Sequence, residues 1–316
     1  MKISVVVLIY NSELQEILLT LKSIVKQKNT CGIEIILADD GSQRKYENEI
    51  SSFLKKYEFN DFIFAPSSEN VGTVNNILRA LSFCRGKYVK PIGAGDLFFS
   101  EDVLSKVYNY MEKGDYKCAF GKIKSYVMEN RDISEFPFTA PVNKRVYADE
   151  KINQIKKNMI LGNDYISGAS MIYEREFLHI ELSKLSGVIK YAEDCVQIPI
   201  ILSGTMIKYV PINFILYRVG RGISTSKEGN GRIKQDHKRF FVYLKNNYED
   251  SIVTSLERRD SLPRVMRTLV RWAQNPYIRY QLSLRNYQIT HYKKNKKSDE
   301  LGFLSDNTFI DCELIE

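Results

Sequence analysis

Glu193-Asp194 is the best candidate in this chain for acid–base chemistry. A carboxylate within hydrogen-bond reach of a hydroxyl can take its proton. Four other polar clusters punctuate apolar stretches: Tyr10-Asn11 after Ile9, Asp39-Asp40-Gly41-Ser42, Asn70-Val71-Gly72, and Gly93-Ala94-Gly95-Asp96. Arg218 and Arg221 sit in the glycine-bearing run Tyr217–Ser224, and guanidinium forks match phosphate oxygens. Asn70 and Gly72 open a helical pattern whose free N–H groups favour an anion. Asn76 lies one turn further in. Plainer roles compete at each place: a turn and cap for Asp40-Gly41-Ser42, a cap for Asn70, a solvated helical position for Asn76. For Glu193-Asp194 the competing role is acids stabilised by a helix dipole. His179, His237 and His291 are scattered without metal-ligand spacing and are taken as structural.

The elements that must carry these residues alternate. Ile3-Ser4-Val5-Val6-Val7-Leu8-Ile9, Ile33-Glu34-Ile35-Ile36-Leu37, Phe62-Ile63-Phe64 and Lys87-Tyr88-Val89 read as strands. Between them Leu14, Ile17, Leu18, Leu21, Ile24 and Val25 recur at helical spacing, as do Ile50, Phe53, Leu54 and Tyr57, then Val74, Ile77, Leu78 and Leu81. This order predicts an α/β domain with a parallel sheet and right-handed crossovers. Each polar cluster then falls at a strand end or a helix start, where open α/β sheets bind ligands. Residues 126–165 predict a loop region with a short helix. Ala169–Tyr173 and Ile207–Tyr217 predict strands, and Asp194–Leu202 a helix interrupted by Pro199. Gly220, Gly222, Gly229 and Gly231 predict a mobile loop, with helix beyond it to about Tyr292.

Taken in order, these motifs resemble the inverting glycosyltransferases of family 2, of bacterial surface-polysaccharide type, over residues 3–225. The resemblance implies a GT-A fold in residues 1–225 and leaves 226–316 as a helical, basic C-terminal extension. It implies a nucleotide-sugar donor, with Ile9, Tyr10, Asn11 and Asp39 holding the base and ribose. A carboxylate that accepts the N3–H of uracil favours UDP. It further implies Asp194 as catalytic base and Glu193 as its support. Asn70, Gly72, Asn76, Asp96, Arg218 and Arg221 would surround the rest of the donor, and Ser167-Gly168-Ala169-Ser170 would line the acceptor side. The departure lies at Gly93 and Gly95, where relatives carry carboxylates. Only Asp96 remains to hold a divalent cation, Mn2+ or Mg2+, and Arg218 and Arg221 are the alternative source of positive charge.

The 316 residues suffice for one large domain plus an appendage. No apolar run reaches the roughly 18–20 residues that span a bilayer, and Met1-Lys2-Ile3-Ser4 carries no signal-peptide pattern. Five widely spaced cysteines without a CxxC suggest reduced thiols and a cytoplasmic setting. The net charge of +8 is concentrated between Ser261 and Ser298, which holds Arg264, Arg267, Arg271, Arg279, Arg285, Lys293, Lys294, Lys296 and Lys297 and no acid. Leu262, Val265, Leu269 and Trp272 fall opposite its first three arginines. Such a segment either lies peripherally on an anionic membrane or packs its apolar face on the catalytic domain. No nucleic-acid module is visible. The expected activity is sugar transfer to a hydroxyl of a glycan or lipid-linked glycan acceptor. An inactive glycosyltransferase-like binding subunit and a sugar nucleotidyltransferase remain as alternatives, and the oligomeric state stays open.

Overall fold

The computed structural model describes residues 2–28, 32–129, 132–220, 227–293, 301–306 and 309. Strands β1 (Ile3–Ile9), β2 (Ile33–Asp39), β3 (Phe62–Pro66) and β4 (Tyr88–Gly93) run parallel. Their unbroken apolar runs fit a sheet covered on both faces. On one face, Val5, Val7, Ile35 and Leu37 pack with Ile17, Leu18, Leu21 and Ile24 of α1 (Leu14–Val25) and with Ile50 and Phe53 of α2 (Glu47–Lys56). On the other, Val6 and Ile36 meet Val74, Ile77 and Ala80 of α3 (Thr73–Leu81). Each such side chain contributes about 1.5–3 kcal/mol on burial. The register places Ile9 opposite Asp39 and Leu8 opposite Gly93, so the ends of three strands share one edge.

The second half adds the antiparallel strands of a mostly parallel sheet. A short β5 (Leu97–Phe98) and α4 (Val103–Gly114) lead into β6 (Cys118–Glu129), which forms a hairpin with β7 (Asp132–Phe136). Helices α5 (Arg145–Ala148) and α6 (Ile152–Ile160), strand β8 (Met171–Glu174) and helix α7 (Arg175–Ser183) follow. A 3-10 turn at Glu193–Val196 continues into α8 (Gln197–Leu202), and β9 (Lys208–Arg218) closes the sheet. The strand order is β3-β2-β1-β4-β8-β6-β9-β5, with β7 paired on β6. β8 is antiparallel to β4 and β6, and β5 to β9. Residues 126–165 are therefore largely regular rather than loop. Pro199 does not interrupt α8, because it sits in the first turn, where an N–H has no intrahelical partner.

Helix α9 (Lys227–Asn247) begins earlier than the glycines suggest, so Gly229 and Gly231 lie within it. Gly222 is outside the described residues. Phe240 and Leu244 of α9 and Val253 and Leu256 of α10 (Ser251–Asp260) join the same core as α3. Helices α11 (Arg264–Gln274) and α12 (Pro276–Thr290) complete the helical segment. Among the described residues, no helix is long and apolar enough to cross a membrane.

Candidate active site

One cleft of about 510 Å³ opens at the shared strand edge. Ile9, Tyr10 and Asn11 line it from the end of β1, and Asn70 and Asn76 from α3 and the turn before it. Asp96 enters from the turn after β4, and Arg218 from the end of β9. Glu193 and Asp194 face it from the 3-10 turn, with Ser167, Gly168 and Ala169 beside them. The chain thus brings nine of its candidate residues together, from segments as far apart in sequence as Ile9 and Arg218. Asp39 and Gly72 are not among the lining residues, and Arg221 lies outside the described residues.

The acid pair is held by its backbone. Asp236 of α9, 2% exposed, accepts hydrogen bonds at one oxygen from the N–H groups of Lys190 (3.0 Å), Tyr191 (2.6 Å) and Ala192 (3.1 Å). Those are the three residues that lead into Glu193. Gly168 packs so tightly against the pair that a Cβ there would lie 3.0 Å from Glu193 Oε1. Burial is the main cause that raises the pKa of both acids, and the Asp194 charge pushes Glu193 up further. His237 and the local N–H groups oppose the rise at Asp194. A raised carboxylate is a stronger base, with its pKa nearer to neutral operating pH.

The loops after β1 and β2 brace each other. Ser42 Oγ accepts from the Asn11 N–H (2.8 Å), and Asn11 Oδ1 from the Gln43 N–H (2.9 Å). Asp39 Oδ1 accepts from the Ser42 N–H at 2.8 Å, and the residue borders a small adjoining hollow that shares Ile9 with the cleft. At the start of α3, where an anion is expected, a carboxylate of the chain itself takes two of the N–H groups. Asp40 accepts from Val71 (2.8 Å) and Gly72 (3.0 Å), while the Val74 N–H bonds to Lys190 O (3.1 Å). Gly72 has φ +87°, and a Cβ there would strike Lys190. Glycine therefore serves the approach of the 190–192 loop rather than an incoming phosphate. Asn70 does not cap α3. Its carbonyl accepts from Lys190 Nζ (2.9 Å), and its Oδ1 from the Tyr191 hydroxyl (3.3 Å). Asn76 is buried and donates to Ala38 O at 2.9 Å, so it borders the cleft as a tie to β2.

At Asp96 the charges are crowded. Oδ1 accepts from the Arg218 N–H (2.8 Å), and burial raises the carboxyl to about 7. Lys90, wholly buried on β4, is driven down to about 7 by the same desolvation and is partly compensated by Asp96. The Arg218 guanidinium lies 3.4 Å from Glu16 of α1 and donates to Met128 O. A Cβ on Gly95 would point onto the Arg218 stem at 3.4 Å, so that arginine fills the space beside the missing carboxylate. Among the described residues there is no cluster of three His, Cys, Asp or Glu side chains that could hold a metal. One carboxylate that already accepts the Arg218 N–H, beside a resident guanidinium, is a poor fit for the divalent cation expected at Asp96, and Arg218 is the alternative source of positive charge.

The family model for glycosyl transferase family 2 matches residues 4–178. The chain belongs to that family. This glycosyltransferase is 23% identical over 218 residues to an uncharacterized glycosyltransferase of Mycoplasma pneumoniae, the MG060 homolog, covering 63% of this chain and 72% of the relative. It is 28% identical over 181 residues to MG060 of Mycoplasma genitalium, covering 50% and 58%. Among solved structures it is similar to S. aureus TarS 1–349 in complex with UDP (15% identity, TM-score 0.49) and with UDP-GlcNAc (16%, 0.47), covering 95% of each chain.

Four residues of the glycosyltransferase site escape a motif reading. Asp236 and His237 lie on α9, beyond the span of the resemblance; Asp236 braces the turn into the acid pair, and a charge on His237 would lower Asp194. Glu16 looks like an ordinary first-turn acid of α1. Lys90 carries the one available signal, a charge inside an apolar strand, which is rare unless the charge is paired.

Proposed function

We propose that the chain is an inverting glycosyltransferase that moves a sugar from a UDP-sugar to a hydroxyl of a glycan acceptor, in the assembly of a surface polysaccharide. The observation that carries this reading is the position of Asp194, across one cleft from the ends of β1 and β4. Asp194 takes the proton of the acceptor hydroxyl as that oxygen attacks the anomeric carbon. The bond to UDP breaks on the opposite face, which inverts the configuration. Glu193 supports the base, and Tyr10, Asn11 and Asp39 hold the nucleoside. The charge left on the diphosphate faces Arg218, with Arg221, three residues on in sequence, as its expected partner. Residues 1–225 carry the chemistry, and α9 supplies the Asp236 brace from the C-terminal segment. The lipid-linked form of the acceptor suits the basic end of the chain.

UDP release from a panel of UDP-sugars tests the reading, because an activated donor hydrolyses slowly even without acceptor. Release from one or a few of the sugars is expected. Binding of UDP without release from any sugar would favour an inactive binding subunit instead.

A further inference from the structure

Helix α11 is packed inside out for a protein in water, and α12 turns much of its apolar surface outward while burying Ile278 and Leu282. Val265 is 73% and Leu269 61% exposed, and Met266 and Trp272 share that outer face. On α12 Tyr277, Tyr280, Leu284 and Tyr287 are exposed as well. These two helices hold eight of the twelve large apolar side chains that are exposed among the described residues, so the patch is a concentration rather than scatter. No residue of α11 is buried. The apolar face of α11 therefore does not cover the catalytic domain, whereas α12 buries Ile278 and Leu282 and so packs in part.

The inner side carries the charge. Arg267, Arg271, Arg279 and Arg285 are half-buried there, and the Nε of each lacks a hydrogen-bond partner among the described residues. Arg271 and Arg259 both depress Arg279, after burial itself, so like charges are crowded along the seam. Neither helix contains an acid. An interfacial helix sinks its apolar face about 5–10 Å into a bilayer and keeps its basic side at the headgroups. That geometry would place acyl chains on the outside and headgroup phosphates beside the accessible parts of the half-buried arginines. A second copy of this chain could cover the apolar outer face but would bring no acid to the arginines, because these helices are acid-free in both copies.

We infer that α11 and α12 form a preformed docking face for an anionic phospholipid bilayer. Arg285 belongs to α12, donates to Thr139 O and also lines the cleft, so docking sets the cleft wall at the membrane surface. The inference concerns the surface that presents an acceptor, and it rests on the proposed transfer only for its purpose.

Trp272 is the only tryptophan of the chain and stands in the patch, so it reports insertion directly. The full chain is mixed with vesicles of phosphatidylglycerol and phosphatidylcholine, or of phosphatidylcholine alone. With the anionic vesicles the emission should shift to the blue, brominated acyl chains should quench it, and the protein should co-sediment. Each arginine near the surface contributes about fivefold to binding, so raising salt from about 0.05 to about 0.5 M should release the protein. Val265→Glu with Leu269→Glu, both at exposed positions, should lower vesicle binding at least about tenfold. UDP release measured without vesicles should not change, so loss of docking and loss of the transfer reading are told apart. Unchanged Trp272 emission with anionic vesicles, or equal binding to neutral ones, overturns the inference. A blue shift that grows with protein concentration in the absence of lipid also overturns it, in favour of a second copy on this face.

Discussion

Removing the Asp236 carboxylate should damage turnover more than donor binding. Three N–H groups converge on one buried oxygen, and hydrogen bonds to a charged group contribute about 1.5–3 kcal/mol each. In Asp236→Ala, water can reach the half-buried Lys190 and Tyr191, but the buried Ala192 N–H is orphaned. The net loss is then about 3 kcal/mol rather than the sum of three bonds. For a chain of this size that lowers Tm by about 4–5 °C. The 190–192 loop aims Glu193-Asp194, and displacement by about 1 Å can slow a reaction about 100-fold. The residues at the strand ends do not touch Asp236, so KM for the donor should stay within about threefold while kcat falls about 100-fold. Asp236→Asn keeps an acceptor oxygen without its charge and should fall between wild type and Ala. Thermal unfolding and steady-state kinetics on the three proteins decide it. An Ala variant with wild-type Tm and kcat, or one with an intact kcat and a raised KM, would refute the role assigned to the brace.

Asp39→Ala should weaken UDP binding at least about tenfold in a folded protein, the scale of one lost hydrogen bond to a charged group, and calorimetry would expose an unchanged affinity. Activity should survive excess chelator, while Arg218→Ala should lower kcat severely; abolition by chelator with rescue by manganese would reverse that account. On the pH axis, the base must be ionised and its pKa is raised by burial, so the acid limb of kcat should lie above the ordinary carboxylate range near about 4. His237→Ala, which removes the opposing influence, should move that limb upward, and an unmoved limb would separate His237 from Asp194. Stability has the opposite sign: Asp96 is raised to about 7 in the folded chain, so its contribution is full below about 4 and is lost as pH rises toward 7. Asp96→Asn should flatten that decline.

The parallel half of the sheet was legible because its strands and helices carry clean apolar periods, and a period specifies both the element and its buried face. The turn after β4 was legible too, as glycines and one acid at a strand end. What escaped depends on contacts between distant segments. Gly72 and Asn70 look like a phosphate-binding helix start, yet Asp40 from another loop fills that place with its own carboxylate. Asp39 stands at the end of β2 as expected, but the adjoining hollow it borders, which shares Ile9 with the cleft, is built from distant segments and could not be read from the motif. The antiparallel strands β5 and β7 are two and five residues long, too short for a period to declare itself. The amphipathic pattern of α11 was visible, but pattern alone does not say which face turns outward. The structure turns the apolar one to solvent.

The most direct test of the central claim compares UDP binding and turnover in Asp194→Asn. Calorimetry with UDP gives the affinity, and UDP release from the preferred UDP-sugar with acceptor gives the rate. The substitution leaves the fold and the strand-end residues in place while removing the base, so the affinity should stay within about threefold of wild type. The rate should fall by about a hundred- to ten-thousand-fold, the usual contribution of a general base. Turnover near the wild-type rate in a variant that still binds UDP would contradict the assignment of Asp194 and, with it, the mechanism.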